Sequence, residues 1–144
     1  MDIKVSPILL DHAEQVALLS AQFGYSATTE GVKQRMAIIA YSDNDLALGA
    51  FDDEQLLGWI HVFCATRLET DSFCEIGGMV VSESQRGQGI GRLLVEKAIE
   101  WTRRKQCSSL RVRSNVIRDR AHAFYLQNGF KVYKEQKVFE LTVD

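Results

Sequence analysis

The clearest chemistry in this 144-residue chain lies in the run Gln85-Arg86-Gly87-Gln88-Gly89-Ile90-Gly91-Arg92. Three glycines on alternate positions follow an apolar, strand-like segment and open a strong helical pattern, which leaves backbone N–H groups bare at a helix start. Unpaired donors and the positive end of the helix dipole suit such a start to a phosphate or pyrophosphate. A nucleotide-containing cofactor is the ligand class implied. A dinucleotide fingerprint beginning at Gly87 needs its third glycine where the chain has Arg92. A nucleoside-triphosphatase loop needs Gly-Lys followed by Ser or Thr, and none follows Gly89 or Gly91. Both readings fail. Glycine in a helix's first turns costs up to about 1 kcal/mol each relative to alanine, so the cluster argues for a ligand that uses the exposed amides. Arg86 and Arg92 flank it as phosphate partners, with salt bridges to Glu83 or Glu96 as their alternative use.

The elements that must position this run can be read along the chain. Ile3 to Ile8 predicts a strand with an irregular end at Pro7. Asp11, with Glu14 three residues on, predicts a capped helix to about Gln22 with Val16, Leu19 and Phe23 inward. Gly24-Tyr25-Ser26 breaks it, and Thr28 or Thr29 starts a second helix carrying Val32, Met36 and Ile39. These two helices are candidate walls of an acceptor pocket. Leu46–Phe51 and Leu56–Ala65 read as a hairpin, and Phe73–Val81 as a third antiparallel strand. The helix from Gly89 to about Lys105 places Ile90, Leu94, Ala98 and Trp101 on one face, which makes Trp101 a core residue. A strand Leu110–Ser114, a helix Asp119–Asn128 and a last hairpin, Phe130–Tyr133 with Val138–Thr142, complete the pattern.

Composition limits the rest. A length of 144 residues, 46% of them apolar, predicts one compact domain over 1–144. No apolar run approaches the roughly 18 residues of a membrane span and Met1-Asp-Ile-Lys lacks a leader pattern, so a soluble, cytoplasmic protein is expected. Residues 1 to 80 hold 4 basic and 12 acidic side chains, and residues 81 to 144 hold 13 basic and 7 acidic ones. The basic half suits phosphates and the acidic half a cationic amine, unless the unevenness is ordinary surface charge. Interleaved acids and the lack of an aromatic-basic stripe argue against nucleic acid. Cys64, Cys74 and Cys107 are odd in number and show no Cys-x-x-Cys spacing, so neither a disulfide framework nor a zinc site is expected. Cys64 and Cys74 read as small buried hydrophobes, an acyl relay being the alternative. His12, His61 and His122 lack ligand spacing, and no metal is expected.

The spacing Arg86-x-x-Gly89-x-Gly91 resembles the acyl-CoA pyrophosphate loop of the GCN5-related N-acetyltransferase family. Leu110-Arg-Val-Arg-Ser-Asn115 and Tyr125-Leu126-Gln127-Asn128-Gly129-Phe130 look like a second block of that family. Glu75-Ile76-Gly77-Gly78-Met79-Val80-Val81 looks like its central strand, and Phe23-Gly24-Tyr25 like the bend between its first helices. The resemblance covers about Asp11 to Phe139.

What it implies is an α/β fold: a mixed, twisted sheet of six or seven strands with four helices, the strands Phe73–Val81 and Leu110–Ser114 splaying to admit a pantetheine arm. It implies acetyl-CoA as cofactor and transfer of an acetyl group to a primary amine of a small, cationic molecule by direct attack. A non-catalytic acyl-CoA-binding regulatory module and a protein N-terminal or lysine acetyltransferase are the alternatives. Acetyl-CoA contacts fall on Met79, Val80, Val81, Arg86, Gly87, Gln88, Gly89, Ile90, Gly91, Arg92, Asn115 and Tyr125. An alkylamine is mostly protonated at neutral pH, which asks for a carboxylate base, and Glu75 is the candidate. A surface ion pair is its alternative. The resemblance makes the Met79 backbone the oxyanion donor, with Gly77-Gly78 suggesting a bulge. It makes Tyr125 the acid for the departing thiolate, a core tyrosine under Phe124 and Phe130 being the other use. Phe23, Tyr25, Glu69, Asp71 and Glu75 are the candidate acceptor contacts. Homodimerisation stays open.

Overall fold

The computed structural model of the chain describes residues 2–114 and 116–144. It divides into two compact units, Met1–Arg113 and Ser114–Asp144. In the first, β1 (Ile3–Pro7), β2 (Asp45–Asp52), β3 (Gln55–Ala65), β4 (Phe73–Val81) and β5 (Leu110–Val112) form one sheet in that order. All neighbours are antiparallel except β4 and β5, which run parallel. The helices are α1 (Ala13–Ala21), α2 (Thr29–Ala40) and α3 (Ile90–Arg104) in the first unit and α4 (Asp119–Gln127) in the second.

Two apolar layers hold the sheet. Ala13, Val16, Ala17 and Leu19 of α1 and Val32 of α2 cluster with Phe51, Leu56 and Val80, joined by the partly buried Phe23, Met36 and Trp59. Across the sheet, Ile90, Leu94, Val95, Ala98 and Trp101 of α3 are buried, as the helical spacing predicts. A methyl on Gly58 would approach Ile90 Cγ2 to 3.2 Å and the Val80 carbonyl to 3.0 Å, so the bare glycine lets α3 settle on β3. Each fully buried Leu, Ile or Val is worth roughly 1.5–3 kcal/mol.

The starts of the helices follow local chemistry. Thr28 Oγ1 accepts from the Gly31 amide at 3.0 Å, a side-chain cap for α2. Asp11 does not cap α1 as expected: it lies in a 3-10 turn, Leu10–His12, where His12 Nδ1 accepts from the Leu9 amide at 2.9 Å.

The sheet has five strands instead of six or seven, and the expected last hairpin does not form. Residues 130–144 carry no strand, and Val132, Tyr133, Val138, Phe139, Leu141 and Val143 are exposed. Alternating apolar residues give a segment the capacity to be a strand, but capacity alone does not form a ladder, and none is formed over residues 130–144. No helix among those residues is long and apolar enough to cross a membrane.

Candidate functional site

The site begins with an irregularity in β4. His61 pairs with Gly78 and the next residue, Val62, with Ile76, so Gly77 is an extra residue in the ladder. This is the bulge that the glycine pair suggested. Beyond it the direction of each amide follows from alternation. The Ser82 amide donates to the Leu57 carbonyl at 2.8 Å and so faces β3. Val80 therefore faces β3 as well, whereas Met79 and Val81 turn their N–H groups the other way. On that side β5 pairs only with Cys74, Glu75 and Ile76. From Gly77 to Val81 the β4 edge has no strand partner among the described residues. The amides of Met79 and Val81 are thus presented at an open edge. Val80, expected beside the cofactor with them, has its side chain 4% exposed in the core and its amide in the ladder with Trp59.

The chain next passes through a 3-10 turn, Glu83–Gln85, an extended Arg86 and Gly87 at φ 81°. Gly89 then caps α3 at φ 80°. Positive φ at both positions explains why they are glycine. A methyl on either would meet nothing within 4 Å, so both open onto free space. Within α3 the first amide to find an acceptor is that of Leu93, 3.0 Å from the Gly89 carbonyl. Among the described residues, the amides of Gly87, Gly89, Ile90, Gly91 and Arg92 have no acceptor. Five free donors at the positive end of a 15-residue helix form a start suited to an anion. Gln88 is different, since its amide reaches the Gln85 carbonyl at 3.4 Å.

The two flanking arginines differ. Arg92 makes a surface pair with Glu96 at 3.3 Å, of the kind worth about 0.3–0.5 kcal/mol, so a phosphate would displace it at little cost. The Arg86 guanidinium stands 5.2 Å from the centroid of the Phe23 ring. Nearby, Gln22 Oε1 accepts from the Glu83 amide at 3.2 Å. The end of α1 is thereby tied to the turn that leads into this helix start. Tyr25, after Gly24 at φ 83°, is 52% exposed.

Glu75 is not the exposed strand carboxylate considered as its alternative. It is 8% exposed, and Arg113 Nε lies 3.2 and 3.3 Å from its two oxygens. It pairs with Phe63, and paired residues share a face, so Glu75, Phe63 and His61 look out on one side of β3 and β4. In the sequence His61 stood out only as a histidine without ligand spacing. Its Nε2 meets Asp45 Oδ1 at 2.7 Å, and Asp45 Oδ2 accepts from Ser42 Oγ at 2.7 Å. The other ring nitrogen, Nδ1, faces the bulge, where a methyl on Gly77 would sit 2.8 Å from it. Only the register of β2, β3 and β4 brings Asp45, His61 and the bulge together, and spacing could not announce it. Trp59 Nε1, also on β3, is buried and lacks an acceptor among the described residues. Glu69 and Asp71 lie exposed in the β3–β4 loop.

In the second unit, α4 carries Tyr125, half-buried and edge-on to Phe124 at 5.3 Å and Phe130 at 5.4 Å. The helix ends where Gly129 takes φ 92° and the Phe130 amide turns back to the Tyr125 carbonyl at 3.0 Å. Asn115, the expected pantetheine partner, lies outside the described residues.

The α/β fold thus combines a bulged central strand, open along one edge, with an amide-rich helix start. The model of the acetyltransferase (GNAT) family matches residues 10–130. The chain belongs to that family. Solved structures of the same fold include an aminoglycoside 6'-N-acetyltransferase from Acinetobacter haemolyticus, at 19% identity, TM-score 0.83 and full coverage of both chains (100% of each). The aminoglycoside acetyltransferase AAC(6')-Iy, solved with the bisubstrate analogue CoA-S-monomethyl-acetylneamine, matches at 15% identity and TM-score 0.86, covering 99% of this chain and 100% of that one. A transcriptional regulator from Bacillus halodurans C-125 matches at 21% identity and TM-score 0.86, covering 97% and 100%. No curated protein matches the sequence.

Proposed function

We propose that this chain is an acetyl-CoA-dependent N-acetyltransferase that acetylates the primary amine of a small, cationic molecule by direct attack in a ternary complex. The observation that carries the proposal is, among the described residues, the set of five acceptor-free amides at Gly87, Gly89, Ile90, Gly91 and Arg92, in the same unit as a β4 edge with no strand partner from Gly77 to Val81. Bound acetyl-CoA would supply an acetyl thioester activated towards an amine. Gly87, Gly89, Ile90, Gly91 and Arg92 hold its pyrophosphate through their N–H groups, and Arg86 adds charge. Met79 N–H donates to the acyl oxygen, and one such donor is worth about 10²–10³ in kcat. Glu75 takes the ammonium proton, directly or through water. Tyr125 donates to the departing thiolate. The acidic first half and the aminoglycoside neighbours support a cationic acceptor.

Incubation of the pure protein with acetyl-CoA and a panel of polyamines, amino sugars and amino-acid derivatives is expected to release free thiol above background. With the best acceptor, Tyr125→Phe should lower kcat by about 100-fold while leaving acetyl-CoA affinity within about threefold. No thiol release with any amine, together with intact acetyl-CoA binding, would favour a regulatory module instead.

A second reading of the base rests on the Asp45–His61 contact, because Arg113 already shares the lone pairs of Glu75. Glu75→Gln is expected to lower kcat/KM by about 10²–10⁴, the range of a lost general base, and His61→Ala by under about tenfold. The opposite order, with exogenous imidazole restoring His61→Ala, would move the role to His61.

A further inference from the structure

Three thiols that the sequence scatters over 64, 74 and 107 come together in the first unit, with all their sulfurs within 4.8 Å of one another. Topology achieves this in two steps. Cys64 and Cys74 are direct partners across β3 and β4. The Cys64 amide donates to the Asn44 carbonyl at 2.8 Å and the Cys74 amide to the Ser109 carbonyl at 3.0 Å, each away from the other strand. That outward orientation marks a non-hydrogen-bonded pair, in which facing side chains approach most closely. Their sulfurs stand 3.3 Å apart. Cys107 arrives from the end of α3. Gln106, at φ 60°, reverses the chain, and the Cys107 amide bonds the Thr102 carbonyl at 3.1 Å. Cys74 is fully buried, while Cys64 and Cys107 are half-buried and leave the cluster reachable.

We infer that Cys64, Cys74 and Cys107 form an all-sulfur, three-coordinate site for a soft monovalent metal ion of the Cu(I) class. Thiolates select soft ions, and among the described residues no His, Asp or Glu joins the group to supply a fourth ligand. Structural zinc takes four. Three sulfurs around an ion at about 2.3 Å, the length of a zinc–thiolate bond, must stand about 4 Å apart, and the observed spacings of 3.3 and at most 4.8 Å bracket that value. Binding replaces three S–H protons by the ion. Burial pushes the Cys64 thiol up and the Cys74 thiol up to about 12, so only an ion with strong sulfur affinity can displace those protons. The nearby Lys105 ammonium weakly opposes the shift at Cys64 and offsets part of the thiolate charge. An occupied site would clamp β3, β4 and the α3–β5 connection together, one residue from Glu75.

The test is titration of the full, reduced chain with Cu(I) under anaerobic conditions against the chromophoric competitor bicinchoninate, with Zn(II) as a parallel arm. One Cu(I) per chain is expected, bound more weakly as pH falls. Cys74→Ser and Cys107→Ser should each weaken it by more than about 100-fold, beyond the 10- to 100-fold that outer-shell changes cost. Cys107 lies in a connection, so its variant stays informative if Cys74→Ser fails to fold. Failure of the chain to compete for Cu(I), or affinity unchanged in both variants, would overturn the site. Zn(II) held as tightly as Cu(I) would overturn the three-coordinate assignment.

Discussion

Gly89→Glu should give a folded protein that no longer binds acetyl-CoA, its affinity falling by about 100-fold or more. Gly89 occupies the left-handed region at φ 80°, where an L side chain costs about 1–2 kcal/mol. Its missing Cβ points into open space, so a carboxylate there projects from the helix start without disturbing the core. Like charges brought together at a binding surface cost several kcal/mol, and each 1.4 kcal/mol is about tenfold in affinity. Gly89→Ala separates the two effects, since it bears the backbone strain without the charge, and should lose about tenfold or less. Calorimetry on both variants, with thermal melts to confirm folding, reads the difference. Affinity for acetyl-CoA within threefold of the parent in Gly89→Glu would remove the phosphate role from this loop.

The second large effect is expected at a backbone atom. Met79→Pro deletes one N–H, and alternation along β4 directs that N–H away from β3, so no ladder bond to β3 is lost. Turnover should fall by about 10²–10³ with acetyl-CoA binding retained, the cost of losing one oxyanion donor. Val80→Pro, one residue on, removes a donor that faces Trp59 and should act on stability instead. Rates and melting temperatures of the pair make the comparison. If Met79→Pro turned over normally, the donor assignment would be wrong.

These expectations draw on features that differ in how far sequence alone reveals them. The loop from Arg86 to Arg92 was legible because a positive φ is a local demand that glycine meets locally. β4 was legible over its full span, Phe73–Val81, because a largely apolar run, interrupted only by Glu75 and the glycine pair, lies between turn residues. The bulge followed from two adjacent glycines. The Asp45–His61 contact was not legible, since it joins residues on different strands whose register no spacing rule supplies. The proximity of the three cysteines was not legible for the same reason, since strand pairing and the turn at Gln106 bring them together. The last hairpin erred in the other direction, because an apolar pattern in 130–144 was read as a ladder that does not form.

The brevity of β5 carries a mechanical consequence. Its ladder to β4 spans only Cys74–Leu110, Glu75–Arg111 and Ile76–Val112, whereas β2 and β3 are laced together along most of their length. Local opening concentrates where few backbone bonds must break. The seam between β4 and β5 can therefore breathe while the four antiparallel strands stay whole, which confines the elasticity of the sheet to the line on which Glu75 lies.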